Sequence, residues 1–103
     1  MAFRMVARVD DLHEQSGTLV TVDGEDIVLF KRGGGVYAIN NVCAHQHFSM
    51  LHQGSVCDFE VTCPMHGWIY DMRTGDSTTG QGKVAAYAVK VVGREVFLEL
   101  PGG

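Results

Sequence analysis

Two short segments constrain this chain more than any other feature: Cys43-Ala44-His45 and Cys63-Pro64-Met65-His66. Seventeen residues lie between His45 and Cys63. Each segment puts one thiol and one imidazole on a tight loop. Together they offer two sulfur and two nitrogen donors: Cys43, His45, Cys63 and His66. No other stretch holds a comparable set of chemically active side chains. The two loops must jointly grip whatever they bind.

A donor set of two sulfurs and two nitrogens suits tetrahedral zinc or an iron–sulfur centre. Zinc-finger spacing usually groups like with like, two cysteines followed by two histidines. Here the two types alternate along the chain. Alternation suits two metal ions, with each loop giving one ligand to each ion. One iron then takes both cysteines and the other both histidines, which is the ligation of a Rieske [2Fe–2S] centre. A structural Cys2His2 zinc module is the competing reading of the same four residues.

Cys43-x-His45 and Cys63-x2-His66, followed by Gly67, Trp68, Ile69, Tyr70 and Asp71, resemble the Rieske cluster-binding pattern. The chain is most similar to the small Rieske-type ferredoxins of aromatic-ring dioxygenase systems. The likeness is specific over residues 43–71 and extends more weakly, in strand and turn pattern, over almost the whole chain. It implies an all-β fold, an antiparallel β-sandwich with an inserted cluster-binding subdomain.

The strand signals agree with that order. Phe3–Val9 reads as a strand, and residues 10–14 offer an N-cap and one helical turn. Thr18–Val22, Ile27–Lys31 and Val36–Asn40 read as a three-stranded meander, with turns at Asp23-Gly24 and at the triple glycine 33–35. Residues 41–82 break the pattern and are rich in His, Gly, Cys, Ser and Thr. Within them Phe59–Thr62 and Trp68–Asp71 read as short strands flanking the second ligand loop. Tyr87–Val92, Gly93-Arg94 and Glu95–Leu100 read as a closing hairpin. Residues 1–103 are expected to form one Rieske domain. Its basal sheets span about 1–40 and 83–103, and its cluster-binding subdomain about 41–82.

Charge and cysteine usage narrow the function. Eight basic against twelve acidic residues leave a formal charge of −4, which argues against nucleic acid. The N-terminal segment has charges breaking its apolar residues and no signal-peptide core, and no apolar run reaches the length of a membrane span. A cytoplasmic carrier without a membrane anchor is expected. Of three cysteines, Cys57 is left outside the donor set. A leftover thiol of this kind is expected to be a small buried hydrophobe. His13 and His52 read as ordinary solvated side chains, and His47 as a surface or rim residue. Trp68 reads as a packing residue, Gly67 as either a turn glycine or a close-approach position.

The resemblance implies roles for the four ligands. Cys43 and Cys63 would hold a buried inner iron, and His45 and His66 an outer iron that takes up the electron. It implies a one-electron carrier with no catalytic site of its own, working as a monomer. Its partners would be a flavoprotein ferredoxin reductase and a terminal oxygenase or similar acceptor. A small Rieske-like subunit of a nitrite-reductase-type complex is the alternative. High-potential relatives carry a serine directly after the second His-Gly, a tyrosine two residues later, and a disulfide between the loops. Here Trp68 takes the serine position, Tyr70 keeps the tyrosine, and neither Phe48 nor Met65 is a cysteine. The stretch matching the family's proline-bearing cover loop, residues 78–83, has no proline. Fewer hydrogen bonds to sulfur leave the reduced state less stabilised. A redox titration is therefore expected to give a midpoint near about −150 mV. The midpoint should be flat near neutral pH and fall by about 59 mV per pH unit per proton lost in alkali. A value above about +100 mV contradicts the first expectation; a midpoint flat into strong alkali contradicts solvent-facing histidine ligands.

Overall fold

In the computed structural model the described residues are 2–42, 49–64, 67–78 and 82–100, with Ala2 and Leu100 described as backbone only. The segment Glu25–Arg32 forms the strand on which the rest is built, β3. Its residues Ile27, Val28, Leu29 and Phe30 are all fully buried. Successive side chains on a strand point to opposite faces. Ile27 and Leu29 accordingly enter one core, while Val28 and Phe30 enter another. A run of four apolar residues is what a strand covered on both sides requires.

Strands β2 (Thr18–Val22) and β4 (Gly35–Asn40) flank β3 in an antiparallel meander. Asp23 and Gly24 both take positive φ, 52° and 82°, in the two-residue turn from β2 to β3. That matches the twist of the flanking strands. A fourth strand, β8 (Ala86–Tyr87), pairs with β4 through Ala38 and Ile39.

One face of this four-stranded sheet meets a three-stranded sheet in the order β1-β10-β9. These strands are β1 (Ala2–Arg8), β9 (Val89–Val92) and β10 (Glu95–Leu100). The first and last strands pair antiparallel from Ala2↔Leu100 to Arg8↔Glu95, with an irregularity between Met5 and Ala7. Leu12, Val22, Ile27, Leu29, Ala38, Val96 and Leu98 fill the core between the two sheets.

The opposite face of β3 and β4 carries the second core: Val28, Phe30, Ile39, Leu51, Val61, Cys63, Tyr70, Met72 and Val84. It is capped by a small sheet of β5 (Ser55–Cys57), β6 (Glu60–Thr62) and β7 (Ile69–Asp71) in sequence order. The molecule is thus three layers with two cores, and the central sheet serves both. The all-β antiparallel architecture expected from the sequence is the one observed.

Several local expectations need correction. The run Tyr87–Val92 is not one strand. It breaks at Ala88, so Ala86–Tyr87 stays on the four-stranded sheet while Val89–Val92 joins the other. Such switching builds the corner of a sandwich, and the Ala88 carbonyl accepts a hydrogen bond from the Glu99 amide at 3.0 Å. The helical turn shrinks to a 3₁₀ turn at Val9–Asp11. Cys57 is exposed rather than buried, because it ends β5 on the outer side of a tight hairpin where Cys57 pairs with Glu60.

After β7 the chain turns sharply. Asp71 accepts hydrogen bonds from the Arg73 amide at 2.8 Å and from its guanidinium at 2.9 and 3.1 Å. The Arg73 guanidinium also lies 4.6 Å from the centroid of the Phe59 ring. That ion pair holds the Asp71 carboxyl below the usual carboxylate range. Gly75 closes the turn with φ 82°, and a Cβ there would lie 2.1 Å from the Val84 carbonyl oxygen. No side chain fits that approach.

The two cores should respond separately. Ile27→Ala should lower unfolding free energy by about 2–5 kcal/mol and Phe30→Ala by about 3–5 kcal/mol, read by denaturant titration. Trp68, the single tryptophan, packs against the Phe30 core only. Native-state tryptophan emission should shift in Phe30→Ala and hold in Ile27→Ala. Equal shifts in both would show that the cores are not independent.

Candidate metal centre

The second ligand segment is the tip of the β6–β7 hairpin. Thr62 pairs with Ile69, the last rung before the loop. Beyond it the Cys63 amide donates to the Trp68 carbonyl at 2.7 Å, and the Gly67 amide donates to the Cys63 carbonyl at 3.1 Å. Gly67 has φ 73° with open space around a notional Cβ. That conformation is the left-handed one its turn requires. Pro64 is exposed at this turn, where its fixed φ suits the bend.

Cys63 is only 1% exposed and belongs to the core beneath the small sheet. Val61, Leu51 and Tyr70 share that core, and Trp68 packs against it half-buried. Packing is thus the observed role of Trp68, as the sequence suggested. A thiolate donor sunk into an apolar core suits an inner metal shielded from water. Cys57 cannot take this role. It pairs with Glu60, three residues and so about 10 Å along the strand from Cys63.

The first ligand segment lies between Val42 and Ser49. These two residues form an antiparallel bridge that closes the base of the loop. Cys43 and His45 lie outside the described residues, as do His66, His47, Phe48 and Met65. Of the four expected ligands the structure therefore describes Cys63. The return limb of the first loop, a 3₁₀ turn at Leu51–Gln53, delivers Leu51 into the same core as Cys63. The bases of both ligand loops thus rest on one apolar foundation.

A third segment closes beside them. Ser77 bridges Tyr70 and Asp76 bridges Lys83, and the Ser77 amide donates to the Gly82 carbonyl at 3.1 Å. The expected cover loop, 78–83, begins at this base, and its residues 79–81 lie outside the described residues.

Sequence reasoning missed a polar group under the first loop. Asn41 is fully buried. Its Nδ2 donates to Ser49 Oγ at 2.7 Å and to His52 Nδ1 at 2.9 Å, while its Oδ1 accepts from the His52 amide at 2.6 Å. Ser49 Oγ donates in turn to Asp26 Oδ2 at 2.7 Å. The hydroxyl of Ser49 first, and that of Thr21 second, hold the Asp26 carboxyl below the usual range. His52 is therefore half-buried and bonded, not merely solvated; His13 is exposed as expected. The only advance signal was an Asn two residues before an expected ligand cysteine.

Comparison with known proteins agrees with this geometry. A family model described as the Rieske [2Fe-2S] domain matches residues 2–96. The 3-phenylpropionate/cinnamic acid dioxygenase ferredoxin subunit of Escherichia coli (strain K12) is 32% identical over 88 residues, 82% of this chain and 83% of that one. The ferredoxin of carbazole 1,9a-dioxygenase from Nocardioides aromaticivorans IC177 superposes with a TM-score of 0.88 at 33% identity, covering 95% of this chain and 97% of that one. A chain assigned as an NADH-dependent nitrite reductase small subunit from Mycobacterium tuberculosis shares the fold alone. Its TM-score is 0.87 at 21% identity, over 94% of this chain and 93% of that one. Among the described residues no helix is long and apolar enough to cross a membrane. With a family model matching nearly its whole length and two relatives above 30% identity, the chain belongs to the Rieske [2Fe-2S] family, whose single cluster is its cofactor.

Proposed function

We propose that Cys43, His45, Cys63 and His66 hold the cluster, and that the chain is a one-electron carrier between a flavoprotein reductase and a terminal oxygenase. The observation that carries this reading is Cys63, buried at the first position beyond a hydrogen-bonded loop base. Cys43 follows Val42, the last bridged residue of the other loop, in the same relation. When bound, the cluster takes up and releases one electron at a potential set by its ligands and surroundings. The chain's own residues do the rest. Val61, Leu51, Tyr70 and Trp68 exclude water from the sulfur side. His45 and His66 would each bind through one ring nitrogen.

The carrier has no catalytic site of its own and works in the cytoplasm. The two relatives described above are ferredoxins of dioxygenase systems, which supports an oxygenase as acceptor over the nitrite-reductase alternative. We read residues 1–103 as one Rieske domain with the cluster-binding subdomain at about 41–82. Its support is the small sheet β5–β7, which lies wholly inside that span.

Purified, reconstituted protein should hold about two iron and about two acid-labile sulfide per chain and be red-brown. Cys63→Ser and His66→Ala should lose that content and colour, whereas Cys57→Ser should keep both. One zinc ion and no sulfide in the wild type, or loss of the cluster from Cys57→Ser, overturns the assignment. In a reconstituted assay, reduced protein should pass one electron to a dioxygenase terminal component; no transfer in any such pairing removes the acceptor class.

A further inference from the structure

We propose that Asn41, Ser49, Asp26 and His52 form a clasp that positions the first ligand loop, residues 43–48, for cluster retention. The inference rests on the reading above, in which that loop supplies Cys43 and His45. It adds positioning residues that touch no metal themselves.

Connectivity carries the argument. Asn41 stands two residues before Cys43, and Ser49 stands directly after residue 48. One side chain therefore ties the two ends of the loop together. The Asn41 backbone adds to the tie: its carbonyl accepts from the Met50 and Leu51 amides, each at 3.1 Å, and its amide donates to the Asp26 carbonyl at 2.8 Å. Every polar group of the Asn41 amide is used. A buried amide left unpaired would be costly, so removing any partner disturbs the whole set.

The direction of each bond is fixed. Because Oδ1 accepts from the main-chain N–H of His52, Nδ2 must face Ser49 and His52 Nδ1. The imidazole then accepts at Nδ1. Ser49 accepts from Asn41 and passes its own proton toward the Asp26 carboxylate. Asp26 also accepts from Thr21 Oγ1 at 2.9 Å, which ties it to the adjacent strand β2. The chain of bonds thus runs from the central sheet to both ends of the ligand loop.

A clasp of this kind acts before and after metal binding. It holds the loop ends at one separation, so less conformational freedom is lost when the loop closes on the cluster. Partners that orient ligands in this way typically change metal affinity about 10–100-fold when removed.

The test measures chelator-driven cluster loss from reduced holoprotein, well below the unfolding temperature, with hydrogen exchange at the Leu51 and His52 amides. Ser49→Ala should release the cluster about 10–100-fold faster, with faster exchange at both amides, and Ser49→Thr should restore both. Asn41→Ala should have the larger effect; if it does not fold, Ser49→Ala decides. Val96→Ala, in the other core, should lower thermal stability and leave the release rate unchanged. Wild-type release from Ser49→Ala, no rescue by Ser49→Thr, or equal acceleration by Val96→Ala overturns the clasp. A wild type that never holds iron and sulfide instead overturns the carrier assignment, so the two failures are distinguishable.

Discussion

Everything in this molecule leans on the two-sided burial of β3. Four successive apolar side chains on one strand send alternate members into opposite cores. Neither outer sheet could bury its inner face without the middle one. Close packing transmits strain readily, yet the split limits how far a disturbance travels. The core that supports the termini shares strands, but not side chains, with the core that supports Cys63. The apolar floor around Cys63 therefore has its other side fixed independently.

The division of labour follows from hairpin geometry. A ligand at the tip of a short hairpin inherits its position from the ladder below it. Cys63 follows the Thr62↔Ile69 rung, and Cys43 follows the Val42↔Ser49 bridge. Cys63 is thereby placed by backbone pairing rather than by a long flexible side chain. The apolar floor excludes water, and the Asn41 group converts the base of one loop from a bridge into a fully bonded polar knot.

How much of this was legible beforehand depended on what kind of signal each feature leaves. The meander from Thr18 to Asn40 was readable because Asp23-Gly24 and the glycine triplet punctuate apolar runs. The break at Ala88 left no signal, since apolar residues continue on both sides and only tertiary pairing decides which sheet each half joins. Strand β5 was too short and too polar to stand out. The expected ligand pairs stand out because their chemistry is local to the sequence, whereas the Asn41 group joins residues 26, 41, 49 and 52 and exists only once the sheet is built. Cys57 was misplaced because composition suggests burial for a spare thiol, but its hairpin position turns it outward.

The pairing of Ala2 with Leu100 has a topological meaning. Antiparallel partners lie about 5 Å apart, so residues 2 and 100 adjoin across the sheet farthest in the fold from the small β5–β7 layer. Joined there by a short linker, the segment between them would form a ring that could be reopened at the Asp23-Gly24 bend. The order in which the strands are synthesised is then a matter of history, while the wiring that matters to the cluster, from Asn40 through Val84, stays uncut.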